Sequence, residues 1–158
     1  MNQEYFAVEL SGSINLGLPL SDIATVAQIE QKDICIVPGV APFWYGVANF
    51  KGSLLWILDS DRFLNLETNK DRPSETLTAV VLTQEIEGNQ RRIALVVQQL
   101  KGILTVESGK LKPLVNSVAS ALQNSCTATF ATEDQDTYIL NSTAFLRQLH
   151  QQSTLVSV

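Results

Sequence analysis

Cys35, Cys126 and His150 are the side chains of this chain that could support nucleophilic catalysis. The chemistry would be thiolate attack on a carbonyl, with His150 as the base that takes the thiol proton. The surroundings argue against it. His150 stands among Gln148, Gln151 and Gln152, as a solvent-facing helix-end histidine would, and neither cysteine lies in a motif that marks a nucleophile. A single His without Cys-x-x-Cys spacing falls short of a zinc ligand set, and there is no Gly-rich phosphate loop. No catalytic residue, metal or cofactor is therefore expected, and a small cysteine hydrolase is the rival reading from a different class.

The two cysteines are too few for a disulfide framework, and Met1-Asn2-Gln3-Glu4 has no positive region before its apolar residues. Buried free thiols in a cytoplasmic protein are the expectation. Eleven Lys and Arg against sixteen Asp and Glu give a formal net charge of −5. No basic face for a phosphate backbone follows from that balance, so nucleic acid is not an expected partner. The uncharged stretch Ile34 to Phe50 is broken by Pro38, Gly39, Pro42 and Gly46 and is shorter than the about 20 apolar residues a membrane span needs. It reads as strands and turns, without membrane insertion.

What remains is chemistry of binding. Phe43, Trp44 and Tyr45 are consecutive aromatics, and neighbours on an extended segment point to opposite faces. They cannot all enter one core, so at least one is expected to be exposed or at a lobe junction. Each can serve either packing or a protein-binding anchor. Trp56, between Leu55 and Ile57, reads as buried. Lys51 lies in Asn49-Phe50-Lys51-Gly52 between two apolar runs, where Gly52 can take positive φ and close a hairpin that holds Lys51 in solvent.

The elements that must position these residues are short. Apolar runs of strand length recur from Tyr5 to Leu140, separated by turn signals such as Ser11-Gly12-Ser13, Pro38-Gly39, Lys51-Gly52-Ser53 and Gly88-Asn89. That punctuation favours an all-β sandwich or barrel. Asp59 is placed to cap a short helical turn at Arg62-Phe63-Leu64. Asn141 or Ser142 can cap a C-terminal helix in which Phe145, Leu146 and Leu149 share a face. Leu114, Val118 and Leu122 allow a second short helix. The polar stretch Glu67 to Glu75 reads as a surface linker between two lobes.

The stretch Ile36-Val37-Pro38-Gly39-Val40-Ala41-Pro42, followed by Gly46-Val47-Ala48-Asn49-Phe50-Lys51-Gly52, resembles a pattern of the CheW-like chemotaxis coupling proteins. In that pattern Val-Pro-Gly-x-Pro-Pro leads to Gly-Val-x-Asn-Leu-Arg-Gly. Asp59 to Leu66 is similar to the family's Asp-Leu-Arg-Arg-x-Leu-Gly-Leu. More loosely, Arg92 to Val97 resembles the Gly-Leu-Leu-Val-Asp strand, and Tyr138 to Asn141 the closing Leu-Leu-Asp. The resemblance implies two five-stranded SH3-like barrels around a shared core, with a short C-terminal helix. The chain would form one domain, its first lobe about 15–70 and its second about 5–14 plus 76–149.

It also implies a cytoplasmic adaptor, peripheral to membrane receptor arrays. The partners would be the cytoplasmic tip of a methyl-accepting receptor and the regulatory domain of a CheA-type histidine kinase. A CheW-like interaction module in another pathway is the same-class alternative. The implied protein-binding residues are Lys51, Asn49, Phe50, Gly46, Val47, Ile23, Trp44 and Tyr45. Lys51 stands where the family usually has Arg, which loses the planar bidentate fork. Thr25, Gln98 and Asn141 stand where it has carboxylates, so charge-dependent contacts differ here.

Overall fold

The computed structural model describes residues 2–66, 75–86, 88–114, 120–132 and 135–156. Its strands are β1 (Asn2–Leu10), β2 (Ile14–Pro19), β3 (Ile23–Glu30), β4 (Trp44–Phe50), β5 (Ser53–Asp59), β6 (Thr76–Ile86), β7 (Asn89–Val97), β8 (Gln99–Glu107), β9 (Cys126–Thr132) and β10 (Gln135–Leu140). Its α-helices are α1 (Ser60–Phe63), α2 (Ser120–Ser125) and α3 (Ser142–Val156). The strands form two five-stranded sheets, ordered β3-β6-β7-β5-β4 and β8-β1-β2-β10-β9. Each sheet contains one parallel pair, β5 with β7 and β2 with β10. This is the all-β fold class that the sequence implies, consistent with two SH3-like barrels.

The division of strands between the sheets departs from the expected lobes. β6 and β7, assigned to the second lobe, pair with β3 and β5 of the first. β2, assigned partly to the first lobe, pairs with β1 and β10. The first lobe is thus the contiguous set β3 to β7, and the second joins β1 and β2 to β8, β9 and β10. The chain changes sheets at Leu20–Asp22 and again at Gln98, the single residue between β7 and β8. The strands on either side of the polar stretch, β5 and β6, belong to the same sheet. Residues 67–74 of the expected linker lie outside the described residues, as does the 115–119 part of the expected second helix.

Three clusters of buried side chains explain why the apolar runs are continuous where a half-exposed strand would alternate. Leu77, Ala79 and Val81 of β6 and Ala94 and Val96 of β7 fill the interior of the first lobe. Their neighbours Val80, Leu82, Leu95 and Val97 point the other way, into a core shared with Val8, Leu10, Leu16 and Leu18 of the second lobe. Side chains alternate faces along a strand, and here both faces are buried. The second lobe has its own interior around Tyr5, Val106 and Ile139. Phe145, Leu146 and Leu149 of α3 all enter the shared core, at 0%, 4% and 2% exposure, as their spacing predicts.

Gly46 is fixed by sterics. It lies at φ +140° beside a bulge in the β4–β5 pairing, and a Cβ there would overlap the Cys35 carbonyl oxygen. Gly46→Ala is expected to cost about 2–4 kcal/mol, combining backbone strain with an overpacked contact to backbone. Urea denaturation measures it, and a loss below about 0.5 kcal/mol, the size of an ordinary surface change, would show that the Cys35 segment yields freely.

Candidate functional site

The β4–β5 hairpin turns in two residues. Phe50 pairs with Ser53, and Lys51 (φ 51°) and Gly52 (φ 81°) both take the left-handed conformation. Positive φ at both central residues is the type I′ arrangement that suits the twist of paired strands. The Asn49 side-chain oxygen accepts a hydrogen bond from the Gly52 N–H at 3.1 Å and holds the turn. Lys51 is exposed, as the sequence implies, and its ammonium sits 5.2 Å from the centroid of the half-buried Phe50 ring. That cation–π contact restrains an otherwise mobile side chain.

Beside the hairpin lies a groove of about 210 Å³ between the start of β3 and the β4–β5 turn. Leu55 and Val81, both buried in the first-lobe interior, are part of its lining. Lys51, Arg92 and Leu54 also border it, and Leu54 is 68% exposed. Thr25 lines one side and spends its hydroxyl on the Val26 carbonyl at 3.3 Å. Arg92 and Leu54 escape a sequence reading centred on the turn. Arg92 is distant in the chain, and it reaches this face because β7 lies next to β5.

The remaining candidates divide between support and packing. Phe43 is buried in the shared core, and Trp44 packs half-buried against it, meeting the Trp56 ring edge at 5.3 Å between centroids. Tyr45 points to the first-lobe interior instead. Its phenol is pushed up to about 12, mainly by burial and then by the Asp59 and Asp61 carboxylates. None of the three aromatics is fully exposed, and the lobe junction takes Phe43 and Trp44. Trp56 is half-buried. Ile23 also packs against the shared core. Gly46 is buried, and Val47 exchanges two backbone hydrogen bonds with Cys35, at 2.7 and 2.9 Å, which cover that part of β4. Asn49, Phe50 and Lys51 are therefore brought together at the hairpin, whereas Trp44, Tyr45, Gly46, Val47 and Ile23 hold the scaffold behind it.

The predicted caps form. Asp59 accepts from the Arg62 N–H at 3.2 Å, with its carboxyl raised by burial. Asn141, the first of the two candidate caps, accepts from the Ala144 N–H at 3.0 Å at the start of α3. A larger and more open cavity of about 680 Å³ lies where β2 crosses to β3, lined by Glu4, Tyr5, Asp22 and Ser142 among others. There Asp22 accepts a 2.7 Å hydrogen bond from the Ser142 hydroxyl.

The cysteines part from expectation in one respect. Both are free, but Cys35 is exposed while Cys126 is buried. Cys35 sits on the rim because its backbone, not its side chain, completes the edge of β4. Burial pushes the Cys126 thiol up to about 12, so it stays protonated at neutral pH and is a poor nucleophile. His150 lies exposed on α3. Among the described residues no group of three or more His, Cys, Asp or Glu could hold a metal ion. No described helix is long and apolar enough to cross a membrane.

Two lobes sharing one core, with a two-residue hairpin and a groove beside it, define a β-rich two-lobed domain. The sequence profile of the CheW-like domain family matches residues 4–150, and the chain belongs to that family. Its fold is similar to the crystal structure of the scaffolding protein TtCheW from Thermoanaerobacter tengcongensis, with a TM-score of 0.69 and 18% identity over 89% of this chain and 90% of that one. A comparison with curated proteins gives no significant match.

Proposed function

We propose that the chain is a non-enzymatic adaptor that couples methyl-accepting receptors to a CheA-type histidine kinase. It would act in the cytoplasm, at receptor arrays. Catalysis then belongs to the kinase. An adaptor that holds two partners in a fixed geometry transmits a receptor movement by binding two kinase states unequally. A fold whose lobes share one buried core suits that role, because the lobes cannot drift apart without exposing it. The observation that carries the reading is the Asn49-to-Gly52 hairpin, which presents a restrained cation next to a groove. TtCheW is described as a scaffolding protein, and the family likeness extends that role to this chain.

Lys51→Glu tests the site. Its side chain is exposed, so the melting curve is expected to change little, by about 0.5–1 kcal/mol at most for the lost cation–π contact. A charge reversal within a protein interface creates repulsion, and affinity for the kinase regulatory domain or for receptor-containing membranes is expected to fall at least about tenfold. Unchanged affinity for both partners would remove Lys51 from the interface. The alternative of a CheW-like module in another pathway differs only in its partners, which affinity capture from the native host identifies.

A further inference from the structure

We propose that Lys51 and Arg92 form a two-cation clamp over the groove beside the β4–β5 hairpin, and that its occupant is an acidic segment of a partner protein carrying an apolar side chain. The inference rests on the adaptor reading and specifies the chemistry recognised.

The charge pattern points to the occupant. The chain carries a net charge of −5, yet these two cations border the same groove, and among the described residues neither is paired with a carboxylate. Lys101, by contrast, is 3.8 Å from Glu9. Two cations that border one groove both attract a carboxylate that enters it. The Phe50 ring restrains the Lys51 ammonium, which lowers the ordering cost of binding. Arg92 adds a planar fork for a carboxylate, the geometry that Lys51 lacks.

The apolar part follows from the lining. Leu55 and Val81 belong to the first-lobe interior and also line the groove, while Leu54 is left 68% exposed at its rim. At about 210 Å³ the groove is smaller than the roughly 300–1,000 Å³ of sites for drug-sized ligands. It suits one apolar side chain flanked by acidic ones. The same surface disfavours a basic segment, which gives it selectivity through repulsion.

The test is an NMR titration of the full chain with a short peptide of alternating Glu and Leu, and in parallel with its Lys and Leu counterpart. Amide shifts are expected at Ala24, Thr25, Phe50 to Leu55 and Arg92 with the acidic peptide alone, weakening as salt is raised. Lys51→Gln and Arg92→Gln are each expected to weaken binding about threefold to fivefold, the range of exposed charge pairs, and Arg92→Lys to restore only part of it, because it returns the charge without the fork. Both positions are exposed, and melting curves confirm the fold of each variant. Equal binding of the basic peptide, shifts confined elsewhere, or an Arg92→Gln variant that binds like the wild type would overturn the clamp. The peptide needs neither receptor nor kinase, so failure of those proteins to bind the wild type counts against the adaptor reading and leaves the clamp to be decided by the titration.

Discussion

Phe145→Ala is expected to destabilise the protein by about 3–5 kcal/mol, the range for removing a fully buried aromatic ring. Phe145 is 0% exposed and meets the Phe63 ring edge-on at 5.2 Å between centroids, so the substitution also loses an aromatic pair. The shared core to which it belongs draws side chains from both lobes, from Val8 and Leu16 on one side to Leu58 and Leu95 on the other. The damage therefore reaches the joint itself. Urea unfolding followed by tryptophan fluorescence, which reports Trp44 and Trp56, and by far-ultraviolet circular dichroism is expected to give coincident transitions displaced to lower denaturant. A shift worth less than about 1 kcal/mol would mean that the core closes over the missing ring with little cavity.

Asp61→Ala is expected to cost about 2–4 kcal/mol, because buried donors lose their acceptor. Asp61 is 6% exposed, and its carboxylate accepts from the Ser11 N–H at 2.9 Å, the Ser11 hydroxyl at 2.8 Å and the Gln98 amide at 3.0 Å. Ser11 turns β1 into β2, Gln98 leads from one sheet to the other, and Asp61 follows β5. One side chain thus ties both lobes at their crossing. In the pattern that this chain resembles, Arg falls at Asp61 and Asp at Gln98, and here the two positions meet in one hydrogen bond. Restoring only one of them, Gln98→Asp, is expected to destabilise through like charges, while Gln98→Asn shortens the reach but adds no charge. If thermal unfolding ranked Gln98→Asp as no worse than Gln98→Asn, electrostatics would not be what selects Gln here.

Local features were the legible ones. The hairpin at Lys51-Gly52, the caps at Asp59 and Asn141 and the α3 face each depend on residues within a few positions of one another, where turn and capping preferences act. Sheet membership was not legible. β5 pairs with β7 and β2 with β10 across long stretches of chain, and an apolar run carries no mark of its partner. The same gap hid Arg92 from the site and Asp61 from the joint, since both act through neighbours remote in sequence. Gly46 could be read as a break in an apolar stretch but not as the point where Cys35 comes too close for a Cβ. The exposure of Cys35 follows from that crossing of backbones, which residue type does not encode.

The discontinuous make-up of the second lobe bears on how the protein is born. During synthesis β1 and β2 leave the ribosome first, yet their partners β8 and β10 are made last. The strands from β3 to β7 are all present once Val97 has emerged, so the first lobe can assemble while the early hairpin still shows Tyr5 to solvent, its partners Val106 and Ile139 not yet being made. Long-range pairing of this kind is slow and exposed to aggregation. For a nascent chain, the interval between Val97 and Leu140 is the vulnerable one, and a chaperone that shields β1 and β2 would act there.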